Sequence, residues 1–224
     1  MKLKTDALFF KRLAMSLIGL LLISLSVAIL KFAAFGLDPF QTMMAGLDKL
    51  VPLSYGTLNV IVNALLLIFG LVFNRKLVGI GTILNLAFLG YAVDFFLWIL
   101  GILFPSPSIV VRIILFIIDM VLLNIACSLY MTADMGVSTY DAIAITCSEK
   151  WHILKFRYMR IVTDIVCVLL GCVLFFIAGG KPAEVFGIAG IGTILTAFCM
   201  GPCIDFFNRV LSRPMLYGKS KKSN

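Results

Sequence analysis

Six apolar stretches dominate the chain, near Leu13–Leu30, Tyr55–Phe73, Leu77–Phe104, Ile109–Ala133, Arg160–Ala178 and Val185–Val210. A helix needs about 20 apolar residues to cross the ~30 Å hydrocarbon core of a bilayer. Water is absent there, so backbone N–H and C=O groups must pair within the segment, and each stretch is expected to be helical. The third is longer than a crossing requires and is expected to tilt or to run past the interface. Charged residues make up only 13% of the sequence, about half the ~25% of a soluble globular chain. The fold class that follows is all-α, a polytopic membrane helix bundle of about six spans. At 224 residues it forms one membrane domain, 1–224, without room for a second.

The net charge of +8 does not point to nucleic acid, because the basic residues sit at segment ends rather than in one stripe. Lys and Arg accumulate in cytoplasmic loops. With both termini inside, fifteen basic residues fall on the inner side: Lys2, Lys4, Lys11, Arg12, Arg75, Lys76, Lys150, Lys155, Arg157, Arg160, Arg209, Arg213, Lys219, Lys221 and Lys222. Only four fall outside: Lys31, Lys49, Arg112 and Lys181. The expected location is the bacterial cytoplasmic membrane, multi-pass, with a basic tail over 211–224. Met1–Arg12 before an apolar run has the look of a signal peptide, but no A-x-A site follows. The fourth span also occupies the same place in the second half of the chain, so the first is read as a span. The six cysteines, Cys127, Cys147, Cys167, Cys172, Cys199 and Cys203, lie mostly in apolar runs and read as small packing residues, not as a disulfide framework.

An internal repeat organises the spans. Gly79-Ile80-Gly81-Thr82-Ile83-Leu84 recurs unchanged as Gly190-Ile191-Gly192-Thr193-Ile194-Leu195, and in register Gly90 matches Gly201 and Asp94-Phe95-Phe96 matches Asp205-Phe206-Phe207. Ten of these eighteen positions agree, and apolar bias alone would not align Gly, Thr and Asp. Upstream, Gly36 to Gln41 corresponds to Gly136 to Asp141, Asn59 to Arg160, and Asn63 to Asp164. Repeat one covers 8–104 and repeat two 109–210, joined by the turn Pro105–Ser108. Three spans per unit is an odd number, so the second unit is expected to enter from the opposite side. That is an inverted-topology repeat, the plan of many secondary transporters, whose sites lie between repeats near the midplane. Were the short segments 38–50 and 138–149 to cross as well, the repeats would be parallel.

Those short segments carry capping boxes. Asp38 reads as an N-cap, with Pro39 at the first helical position and Gln41 at the third; Ser138, Thr139 and Asp141 repeat the pattern. They are either interfacial helices with ordinary caps or half-helices whose N–H groups and positive dipole ends face a ligand.

The Gly-x-x-Pro-aromatic segment Gly36–Phe40, the Gly56-Thr57 span start, Gly79 to Asn85, and Gly90 with Asp94 together resemble the YczE/YyaS/YitT-type bacterial membrane proteins over nearly the whole chain. Many relatives show Pro-Trp-Asp where this chain has Pro39-Phe40-Gln41, and the acid stands instead at Asp141 of the second unit. The resemblance implies the fold and carries no biochemical role.

Ionisable groups in hydrocarbon cost at least ~2.5–3.5 kcal/mol on insertion scales. Asp119 and Asp164 fall near mid-span, with Asn63, Asn85, Asn124 and Thr196 at similar depth. Either acid could carry a coupling proton or sodium ion; alternatively Asp164 pairs with Arg160 one turn earlier. The candidate substrate- or ion-binding residues are therefore Asp119, Asp164, Asn63, Asn85, Arg160, Asp38, Ser138 and Asp141. Asp94 and Asp205, each before Phe-Phe and near opposite faces, are candidate gates or interfacial ends. No nucleophile–base set stands out and His152 is the sole histidine, so no enzyme activity, metal or cofactor is expected. The leading function is a small-solute transporter of the alternating-access type, proton- or sodium-coupled. The alternative is a membrane-embedded binding subunit or scaffold, against which the first span lacks an obvious small-x-x-x-small docking pattern. The partners expected are the lipid bilayer and a small solute, with homo-oligomers left open.

Overall fold

The computed structural model describes residues 2–218, and Lys219, Lys221 and Lys222 of the expected tail lie outside them. The described residues are helical, without strands. In chain order the helices are α1 (Lys2–Ala33), α2 (Pro39–Leu50), α3 (Tyr55–Phe73), α4 (Ile80–Leu103), α5 (Ile109–Ala133) and α6 (Thr139–Ile145), which continues as a wide π-type turn over Thr146–Lys150. Then follow α7 (Phe156–Ile177), α8 (Pro182–Ile188), α9 (Ile191–Phe207), a second π-type turn over Asn208–Ser212, and α10 (Arg213–Tyr217). Six stretches are long and apolar enough to cross a bilayer: Leu8–Ala33, α3, α4, α5, Tyr158–Ile177 and the interrupted run Pro182–Tyr217.

The centre is an antiparallel pair. At one end of it Arg112 Nε, early in α5, donates to the Ala33 carbonyl that ends α1 (2.8 Å). At the other end Arg12 of α1 lies 3.3 Å from Asp134, which follows α5. Between them Ala28, Leu30 and Ala126 are fully buried. A Cβ on Gly19 would sit 2.8 Å from the Tyr130 nitrogen, so glycine sets how closely the two helices approach. The face where α1 begins, here the near face, also collects Arg75, Lys76, Lys150, Lys155, Arg209 and Arg213 at helix ends, and Lys31, Lys49, Arg112 and Lys181 fall at the far face.

The repeated Gly-Ile-Gly-Thr motifs join the two halves reciprocally. Gly81 N–H donates to the Met135 carbonyl (2.7 Å) and Gly192 N–H to the Phe35 carbonyl (2.8 Å). Val137 N–H returns to the Leu77 carbonyl (3.1 Å), and Leu37 N–H to the Ile188 carbonyl (2.9 Å). The loops that receive them turn at Gly36 (φ 109°) and Gly136 (φ 117°), a backbone region open to glycine. A Cβ there would lie 2.6 Å from the nitrogen of Gly190 and of Gly79 respectively.

This exchange corrects two expected boundaries. The sixth span is not one helix from Val185 to Val210; it breaks between α8 and α9. In an unbroken helix Gly192 N–H would bond the Ile188 carbonyl, but that carbonyl is taken by Leu37 N–H and Thr42 Oγ1 (2.9 Å). For the same reason the third span starts at Ile80 rather than Leu77. The tail expected from 211 also begins later. Ser212 is buried against Ser128 Oγ (2.5 Å), and Leu216 of α10 packs with Met15 and Leu129.

Candidate functional site

The short helices α2 and α6 are the elements that build a polar centre. Twelve residues rise about 18 Å, so α2 cannot cross; α6 is shorter. Asp38 caps α2, accepting from Gln41 N–H at 3.1 Å, and Ser138 caps α6, accepting from Asp141 N–H at 3.1 Å. Both expected N-caps are present, but among the described residues the reciprocal half of each expected capping box is not: Gln41 accepts from Tyr55 Oη and Asp141 Oδ2 from Ser138 Oγ. Each short helix packs on the third helix of the opposite repeat, α2 on α7 and α6 on α3. At the first crossing Gly46 and Gly171 let the backbones meet; a Cβ on Gly171 would lie 2.6 Å from the Thr42 carbonyl carbon.

Depth follows from the partners. Thr139 Oγ1 donates to Asn63 Oδ1, and Tyr140 Oη donates to Asp164 Oδ1 at 2.6 Å. Asn63 is the ninth of nineteen residues in α3, and Asp164 the ninth of twenty-two in α7. The N-terminus of α6 therefore ends near the middle of the bundle. Pro39 lies beside Asp164 in the same groove, and the Phe40 and Tyr140 rings are 5.2 Å apart. The N-termini of the two short helices thus meet near the middle of the bundle.

Charge at this meeting point comes mainly from the second repeat. Arg160 is in direct contact with Asp141, lies 3.3 Å from Asp164, and stacks 4.6 Å over the Tyr140 ring. One turn inside α7 and so paired, it is a central residue rather than the inner-face anchor the charge count made it. The i,i+4 pair with Asp164 exists, but Asp141 shares the guanidinium. Asp38 adds a third carboxylate. In the first repeat the matching positions are neutral: Asn59 Oδ1 accepts from Asn63 Nδ2 (2.9 Å), and Gln41 accepts from Tyr55 Oη. Asp164, Asn63, Arg160, Asp38, Ser138 and Asp141 are accordingly brought together. Asn85 is buried on α4, and among the described residues no hydrogen bond joins it to this cluster. Asp119 is buried elsewhere, between α1 and α5. Gln41, Tyr55, Asn59, Thr139 and Tyr140 belong to the centre although they were not among the expected site residues. The aromatic pair was visible as Phe40 and Tyr140 at matched positions of the repeat.

The two candidate gates behave differently. In the first repeat α3 and α4 are packed: Asp94 Oδ2 accepts from Gly56 N–H (2.7 Å), and a Cβ on Gly90 would be 2.7 Å from Asn59 Cβ. In the second, α7 and α9 are separated by a groove of about 240 Å³ lined by Ile161, Asp164, Ile165, Thr193 and Phe198. Gly201, the counterpart of Gly90, has no atom within 4 Å of its Cβ position. Asp205, the counterpart of Asp94, is exposed and accepts from Arg209 Nη2 at 2.6 Å.

Six apolar helical spans packed around a polar centre define a polytopic integral membrane protein. The chain belongs to the family of unknown function DUF6198, whose pattern covers residues 10–209. It is 28% identical to the uncharacterized membrane protein YczE of Bacillus subtilis over 191 residues, 84% of this chain and 81% of that one. It is 24% identical to the uncharacterized protein YyaS of the same organism over 201 residues, 89% and 93% of the two chains. An uncharacterized protein of Haemophilus influenzae is 23% identical over 208 residues, covering 91% and 86%. No solved structure matches.

Proposed function

We propose that the chain is a small-solute carrier of the alternating-access type, built from two inverted three-span repeats, with both termini on the cytoplasmic side of the bacterial cytoplasmic membrane. The near face carries most of the basic helix ends, as cytoplasmic faces do, and the equivalent first spans α1 and α5 run antiparallel. The observation that carries the reading is the inequality of equivalent contacts. The α3–α4 contact is closed while the α7–α9 contact is open down to Asp164. Two repeats that exchange these conformations would open the centre to each face in turn. The centre holds three carboxylates, Asp38, Asp141 and Asp164, against the one guanidinium of Arg160. That excess favours a solute bearing positive charge. The role proposed is a carrier, not a catalyst.

The test begins with a thermal-shift screen of organic cations and zwitterions on the purified chain, followed by counter-flow of the stabilising compound in proteoliposomes. Spin-label distances between α7 and α9 should shorten on adding it while those between α3 and α4 lengthen. Counter-flow that appears only with a co-purified ATPase would sink the carrier reading in favour of a binding subunit.

A further inference from the structure

Away from the Arg160 cluster, one acid has no role in the site described above. Asp119 of α5 is 0% exposed, and neither carboxyl oxygen has a hydrogen-bond partner. Facing it from α1 is Ser26, also 0% exposed, whose Oγ reaches toward the carboxyl without meeting hydrogen-bond geometry and has no other partner. Buried polar atoms are almost always paired, so two adjacent orphans need an explanation.

Packing does not supply one. Across the α1–α5 pair the spot equivalent to Asp119 is Gly19, which lies against the backbone of Ala126 and Tyr130, and that arrangement fills the interface with no polar side chain. An ion pair is also excluded, because no Lys or Arg lies within 4 Å of the carboxylate among the described residues. A metal ion fits poorly. Hard cations take six or more oxygen ligands, whereas α1 and α5 are uninterrupted here and their carbonyls are engaged in helix bonds. Among the described residues, Asp119 belongs to no group of three His, Cys, Asp or Glu placed to hold a metal ion together. A proton is the cation that one carboxylate can hold alone. It removes the charge and turns an acceptor-only group into a donor that Ser26 Oγ can receive.

We propose that Asp119 and Ser26 form an exchangeable proton site that couples the carrier to the proton gradient. One proton passes from hydronium to the carboxylate, leaving water and a neutral carboxylic acid, and returns to water on release. The charged or titratable groups that its charge reaches are Asp38, on the α1–α2 linker, and Cys127, two turns further along α5. The groove where α9 meets α5 is lined by Met120, Asn124, Thr196 and Cys199 and adds no charge. Asp38 caps α2 at the solute site, so loading of Asp119 and the charge state of the centre are electrostatically linked.

The coupling part rests on the carrier reading; the proton site does not. Infrared difference spectra of the purified chain between mildly acidic and alkaline buffer test it directly. A protonated-carboxyl C=O band that shifts in D₂O, disappears at alkaline pH and is lost in Asp119→Asn is the expected result. Absence of the band, or a band insensitive to pH, overturns the proposal. Should Asp119→Asn fail to fold, Ser26→Ala decides: a shifted band supports the pairing, and an unshifted one overturns it. A band that behaves as expected in a chain that shows no counter-flow would refute the carrier and leave the proton site standing.

Discussion

Gly201→Ala separates a static bundle from one that closes between α7 and α9. Beyond its chain neighbours its Cβ meets nothing within 4 Å, so in the structure seen here the substitution brings the helix propensity of Ala over Gly, opposed by the contact of the new Cβ with the ring of Pro202, which follows it in α9. The propensity gain is at most about 1 kcal/mol in a helix interior, so Tm is expected to rise by no more than about 2–4 °C for a chain of this size. The counterpart Gly90→Ala would put Cβ 2.7 Å from Asn59 Cβ and 2.9 Å from Gly56 Cα. Restoring ordinary contact requires α3 and α4 to part by roughly 0.7 Å, and overpacking of that kind costs about 1–3 kcal/mol. Gly90→Ala is therefore expected to lower Tm or leave no net gain. If α9 must close on α7 as α4 closes on α3, Gly201→Ala meets the same clash only in the closed form. A penalty of 1–3 kcal/mol there corresponds to roughly 5- to 150-fold less counter-flow. The measurements are Tm in detergent and counter-flow in liposomes on the same preparations. A Gly201→Ala chain that folds and still exchanges solute at the wild-type rate would refute the closure.

Other substitutions probe the centre. Gly171→Ala drives a Cβ into the Thr42 and Met43 backbone, and should lower Tm by an overpacking cost of about 1–3 kcal/mol; Gly101→Ala, with open space, is the control and should not. Arg160→Gln strips Asp141 and Asp164 of their shared partner and should destabilise by about 1.5–3 kcal/mol, the worth of a hydrogen bond to a charged group. Adding Asp164→Asn, the residue type at the matching Asn63, should recover part of that loss in a double-mutant cycle while abolishing the thermal shift by solute. Asp94→Ala removes the acceptor for Gly56 N–H and should cost about 0.5–2 kcal/mol, as loss of a helix cap does, read as a lower Tm.

Much of the bundle was legible because lipid leaves few choices. Apolar length located the spans, and the repeated glycine motif located the equivalence of the halves. The caps at Asp38 and Ser138 could be read because an N-cap is a local interaction, decided within four residues. What escaped was non-local. Nothing in Val185–Val210 announces a break at Gly190, because the break exists only where Leu37 and Thr42 take the Ile188 carbonyl. Gln41, Asn59 and Thr139 do not stand out in the sequence for a related reason. They are neutral and ordinary in sequence, and gain importance only when α2 and α6 bring them to the level of Asn63 and Asp164.

The division of charge between the halves also bears on which of them is open. In the first repeat Asn59 and Asn63 bond each other, and Gly56 and Gly90 bring α3 against α4 over them. Uncharged amides can be covered in this way at a lower cost than charges, even with Asn59 Nδ2 left without a partner. Arg160, Asp141 and Asp164 occupy the matching level of the second repeat, and their side chains remain 33%, 31% and 15% exposed. Covering three charges without supplying the missing positive charge would incur a desolvation penalty of several kcal/mol per ion. The charge at this level is thus a physical reason for the α7–α9 groove to be open where α3–α4 is closed. A ligand that neutralises Asp38, Asp141 and Asp164 together is what would allow the second repeat to close as the first has. Closure should therefore track the charge of the bound solute: a cationic compound shortens the α7–α9 spin-label distance, and its uncharged analogue of the same shape does not. Equal shortening by both would remove charge from the mechanism.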